Sequence, residues 1–196
     1  MKLILASLLI LGCGSKSPDK EVKSEPKTVA AETPAKPADG WSERTGKGFV
    51  VRAPRAPQES DGELEMLTGP RMPTRFYTKY GDPKVPAAYQ VLVSDLSKYK
   101  DKIEDSMGMT KLMMAPLKQF PGAEVDATTE VTAGTTRGME IAFTVSNLPK
   151  TSPLKLRMRV FASNRHVYQI QAMYPVANQA AASEADKFIE SFAFAN

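Results

Sequence analysis

Apolar and polar residues alternate with a period of two along several stretches of the chain, most clearly from Leu154 to Tyr174. Leu154, Met158 and Val160 alternate with Lys155, Arg157 and Arg159 around Leu156. That is the pattern of a strand with one dry face and one wet face. Ala162-Ser163-Asn164-Arg165 supplies turn chemistry, and Tyr168, Ile170, Ala172 and Tyr174 then alternate with Gln169 and Gln171 until Pro175. The pattern predicts a β-hairpin. Arg75 to Tyr80 and Ala88 to Val93, rich in aromatic and β-branched residues and separated by Gly81-Asp82-Pro83, predict a second one. Val125, Ala127, Thr129 and Val131, then Met139, Ile141, Phe143 and Val145 beyond Gly134, predict two more strands. With the first hairpin they make an antiparallel meander of about four strands.

Nearer the N-terminus the pattern is weaker. Gly48 to Arg52 reads as a strand that stops at Pro54, Pro57 to Gly62 as a polar loop, and Glu63 to Leu67 as a short strand or turn. Two stretches change to a helical period. Between Asp101 and Phe120, Ile103, Met107, Met114 and Leu117 share one side, with Gly108 weakening the helix and Pro116 kinking it. From Asn178 or Gln179 to Phe192, Ala181, Ala185, Phe188, Ile189 and Phe192 form an apolar stripe. The expected fold class is therefore α+β: one domain over residues 41–196, a mainly antiparallel sheet covered by helices.

The ends of the pattern carry the clearest message. After Met1-Lys2, an apolar run from Leu3 to Leu11 is too short to cross a bilayer, which takes roughly 20 residues, and predicts a cleaved signal peptide over residues 1–12. Ile10-Leu11-Gly12-Cys13 resembles the lipobox of bacterial lipoproteins. The resemblance implies diacylglycerol on Cys13, cleavage after Gly12 and acylation of the new amino terminus. Residues 13–40 are rich in Ser, Lys, Pro, Glu and Ala, with almost no large apolar side chain, and predict a disordered tether spanning on the order of 30 Å. Gly14 stands where an aspartate would signal inner-membrane retention in some Gram-negative bacteria, so the resemblance favours the outer membrane.

The folded part also resembles a family. An aromatic-Val-Val strand running to a proline leads through strands, a helix and a meander to Asn164-Arg165-His166-Val167-Tyr168-Gln169-Ile170 and Phe188-Ile189-Glu190-Ser191-Phe192. That order, from Phe49 to Phe194, is similar to the PsbP/Mog1-like α/β/α sandwich of small envelope proteins. The likeness implies a non-enzymatic binding or assembly factor, with an unknown protein or small ligand as partner and no cofactor. It supplies no site residues.

Composition excludes some classes. The chain has 196 residues and a formal charge of +4 from 26 basic and 22 acidic residues. The two signs are interleaved, which argues against nucleic acid. A single cysteine rules out an internal disulfide. His166, the only histidine, follows a turn with no nucleophile or carboxylate placed beside it by sequence, so it reads as a surface residue. Met107 and Met114 share a helix face near Met109 and Met113, and thioethers suit Cu(I), which makes a metal-handling lipoprotein one alternative. An enzyme with an unrecognised site is another. Glu59, Asp61, Glu63 and Glu65 could attract Ca²⁺ on a loop but lack the rest of a calcium-binding pattern. Lys155, Arg157 and Arg159 form a cationic strand face, and Tyr77, Tyr80 and Tyr89 could border a groove.

Overall fold

The computed structural model describes residues 40–65, 71–82, 84–97, 122–146, 152–163 and 165–195. The elements, in chain order, are β1 (Ser42–Gly46), β2 (Phe49–Ala53), β3 (Gln58–Glu65), β4 (Arg71–Thr78), β5 (Ala88–Asp95), β6 (Ala123–Ala133), β7 (Thr136–Val145), β8 (Leu154–Ser163), β9 (His166–Pro175), α1 (Gln179–Glu190) and β10 (Ala193–Phe194). Seven strands form a sheet in the order β3-β4-β5-β9-β8-β7-β6, and β1-β2-β10 form a smaller one. Every pairing is antiparallel.

The predicted hairpin is β8–β9, the predicted meander is β6 to β9, and β4–β5 is the second hairpin. β9 is the middle strand of seven, and both its faces are dry. Tyr168, Ile170, Ala172 and Tyr174 join the core beneath α1, while Val167 lies in a second core with Met72, Ile141, Phe143, Leu156, Met158 and Val160. Gln169 and Gln171, which alternation placed on a wet face, are 1% and 7% exposed. Gln90 Nε2 donates to Gln171 Oε1 at 2.6 Å and Gln171 Nε2 to Gln169 Oε1 at 3.1 Å, which leaves the Gln169 Nε2 donor buried without an acceptor.

α1 forms where its stripe predicts. The Asn178 side chain accepts the Ala181 N–H at 3.0 Å and caps its first turn. Ala181 and Ala185 bring its backbone close to the sheet, and Phe188 fills the space beyond them, 5.1 Å from Tyr89 and 5.3 Å from Tyr80 between ring centroids. Ser191 Oγ then accepts the Arg52 N–H at 2.8 Å, tying the end of α1 to the small sheet.

The helix-covered α/β/α sandwich is overturned, and the PsbP/Mog1-like likeness fails with it. The described residues are mostly antiparallel strand, with one helix and two sheets. One reason lies in β3: Pro57 to Gly62 reads as a polar loop and Glu63 to Leu67 as a short strand or turn, for want of apolar alternation, yet Gln58 to Glu65 is one strand that pairs with β4 along its whole length. The expected helix at 101–120, the signal peptide and the tether lie outside the described residues.

Candidate functional site

The β1–β2 hairpin turns at Lys47-Gly48, and Gly48 has a φ of +75°, which suits glycine. A β-carbon there would also stand 2.5 Å from the Tyr168 hydroxyl. The hairpin tip is fixed to the large sheet, because the Lys47 N–H donates to the Tyr77 hydroxyl at 2.9 Å and Tyr77 meets Phe49 edge-on at 5.0 Å. Beside this junction opens a cleft of about 530 Å³, lined by Lys47, Asp61, Gly62, Pro73, Thr74, Arg75, Tyr77, Val93 and Asp95.

Two cations and two carboxylates therefore face one space. Arg75 lies across from Asp61 in register, donating from Nη1 to its carboxylate at 2.9 and 3.0 Å and from Nη2 to Glu59 at 2.7 Å. These bonds, Glu59 first, push its pKa even higher, so its charge and its direction are both fixed. Asp95 is held below the usual carboxylate range, chiefly by the Ser97 hydroxyl and then by the Ser97 N–H at 2.8 Å. Lys47 makes no ion pair among the described residues.

The sequence candidates fall into place unevenly. Glu59, Asp61 and Glu63 sit on a strand and face arginines, with Glu63 3.7 Å from Arg71, and among the described residues no acidic cluster can hold a metal. The solvated loop expected around these acids is thereby corrected to a paired strand. A usable signal was present: acids at alternate positions 59, 61 and 63 mirror the arginines at 71 and 75. Tyr77 does line the cleft, but Tyr80 and Tyr89 are core residues, 0% and 1% exposed. Their phenols are pushed well above the ordinary range by burial.

His166 is partly buried, pairs in register with Asp95 and does not line the cleft. Sequence reasoning missed this neighbour because the two residues meet only through strand pairing.

The cationic strand face is an ion-pair network beneath α1. Arg157 donates to Glu140 at 2.6 Å and to Asp186 of α1, Arg159 donates to Glu140 at 2.6 Å, and Lys155 lies 3.0 Å from Asp126. It is thus not an open wet surface. Cys13, Met107, Met109, Met113 and Met114 lie outside the described residues. No helix among the described residues is long and apolar enough to cross a membrane.

No family model matches the chain, and no curated protein matches it. Among solved structures it is similar to PA94 of Pseudomonas aeruginosa, a protein of unknown function, at 13% identity and a TM-score of 0.39, covering 74% of this chain and 90% of that one. It is also similar to a Bacteroides thetaiotaomicron protein at 14% identity and a TM-score of 0.38, covering 76% and 46%. LpqN of Mycobacterium tuberculosis, involved in cell envelope biogenesis, matches at 14% identity and a TM-score of 0.38, covering 81% and 80%. None of these likenesses assigns an activity to this chain.

Proposed function

We propose that the protein is a lipid-anchored envelope component whose β-rich domain is a non-enzymatic binding module, taking a small polar ligand in the cleft beside Tyr77. The observation that carries this reading is Arg75, aimed before any ligand arrives by two carboxylates on the neighbouring strand. A pre-oriented group loses little freedom on binding, so more of its interaction appears as affinity. Lys47 and Asp95 add one charge of each sign at the same opening. The ligand this lining fits carries both charges or many hydroxyls.

Anchoring rests on Ile10-Leu11-Gly12-Cys13. Several acyl chains hold a protein far better than one, since each buried CH₂ contributes roughly 0.8 kcal/mol. Outer-membrane placement follows from Gly14 in the same motif.

Thermal-shift screening against amino acids, short peptides and sugars tests the cleft. A stabilising compound whose effect disappears in Arg75→Ala and weakens in Lys47→Ala supports the reading. A compound that stabilises both variants as well as the parent chain binds elsewhere and removes the cleft from the account.

A further inference from the structure

The seven-stranded sheet ends on β3 at one side and on β6 at the other, and no described strand pairs with the outer side of β6. β6 is 11 residues long, and every residue from Glu124 to Glu130 is exposed. In an antiparallel pair a strand turns its N–H and C=O groups toward the partner at alternate residues, so the residues between them point theirs outward. Opposite β7 the register is unbroken from Ala127 to Ala133, which leaves a regular row of such groups along the open edge.

Sheets commonly blunt an open edge with lysine, proline or a bulge, or cover it. β6 has neither lysine nor proline, and its bulge lies toward one end, between Val125 and Ala127. Thr128, Thr129, Val131 and Thr132 are β-branched and favour an extended backbone. Val125, 46% exposed, is one of the two large apolar side chains left open among the described residues.

Charge selects what this edge accepts. β6 carries Glu124, Asp126 and Glu130 and no basic residue. Asp126 is taken by Lys155 at 3.0 Å and by the Thr144 hydroxyl at 2.9 Å, whereas Glu124 and Glu130 make no ion pair among the described residues. The other edge differs, because Glu59 and Asp61 of β3 are held by Arg75 and Glu63 lies beside Arg71. A second copy fits β6 poorly. Two such strands paired antiparallel about Ala127 or Thr128 would set Glu130 against Glu124 or Asp126, and like charges directly opposite destabilise a sheet.

We propose that β6 is a docking edge for an extended peptide segment rich in lysine or arginine, which joins the large sheet as an added outer strand. Backbone bonds to the open groups between Ala127 and Ala133 supply affinity, and basic side chains beside Glu124 and Glu130 supply the choice of partner. The cleft is lined largely from β3, β4 and β5, at the other side of the sheet, so the two sites are separate.

The test uses the full chain in detergent and a fluorescent peptide, matched in length to β6, that alternates lysine with valine and threonine. Anisotropy should show saturable binding, weakened roughly tenfold or more when glutamate replaces the lysines. The same lysine peptide with every backbone N–H methylated should not bind. Amide hydrogen exchange should slow at alternate residues between Ala127 and Ala133, and not in β3. The double variant Glu124→Lys, Glu130→Lys changes only exposed side chains, so it should melt with the parent and prefer the glutamate peptide. Arg75→Ala should leave peptide binding intact, which distinguishes this edge from the cleft. Four results would each overturn the proposal: no saturable binding of the lysine peptide, binding retained after methylation, a preference unchanged in the double variant, or slowed exchange in β3 instead of β6. Slow exchange in β6 without peptide, in a chain that sediments as a dimer, would assign the edge to a second copy and overturn it as well.

Discussion

Arg157 on β8 donates to Glu140 on the neighbouring β7 at 2.6 Å, with side chains only 16% and 14% exposed. Arg159 shares the same carboxylate and Asp186 takes the other side of Arg157, so the sheet and α1 are joined by charge as well as by apolar contact. Removing one partner from such a network strands a poorly solvated charge. Glu140→Ala should lower unfolding free energy by about 3 kcal/mol in urea titration. A loss below about 1 kcal/mol would place the pair among ordinary surface bridges.

The same carboxylate sets a pH dependence. Burial raises the pKa of Glu140, but the bonds from Arg159 and Arg157 outweigh it and leave the value below the ordinary 4.5. A depressed folded-state pKa contributes stability that is fully present above 4.5 and is lost as pH falls through the folded value. The difference in melting temperature between the parent and Glu140→Gln should therefore be constant from pH 7 to about 5 and shrink below 4.5. A difference unchanged down to pH 3 contradicts this assignment.

Phe188 is 0% exposed and contacts Tyr80 and Tyr89 where α1 meets β5. Phe188→Ala should cost about 3–5 kcal/mol, read from the denaturant midpoint, through lost apolar contact and the cavity left behind. A cost under about 1.5 kcal/mol would show that α1 collapses onto the sheet without it.

Gly138 on β7 lies opposite Phe161 on β8, and a β-carbon there would collide with the Phe161 ring and the Val160 carbonyl oxygen. The carbonyl belongs to the backbone and cannot swing away. Gly138→Ala should destabilise by about 1–3 kcal/mol, with Phe161→Leu partly rescuing it. An unaltered melting curve for Gly138→Ala would refute the close approach.

The strands from β6 to β9 and helix α1 were legible because each repeats apolar residues at its own period. What escaped had physical causes. β3 carries acids where an edge strand elsewhere carries apolar residues, since its stability comes from pairing and from arginines across the strand. β6 hides a bulge between Val125 and Ala127, so Val125 sits opposite Phe143 of the second core while Ala127 and Thr129 turn toward the other face. A one-residue insertion reverses every later side chain without altering the apparent alternation. The two glutamines of β9 were misplaced because polarity alone does not reveal a buried amide ladder. Of the cleft only Tyr77 was legible: Lys47, Arg75 and Asp95 are far apart in sequence and are gathered only by sheet order.

Backbone-amide NMR of the full chain, titrated with the most stabilising compound of the thermal screen, tests the account most directly. The predicted result is saturable shifts centred on Gly62, Arg75, Val93 and Asp95, with the compound recovered chemically unchanged. Shifts concentrated elsewhere, or turnover of the compound during the titration, would contradict a binding cleft beside Tyr77.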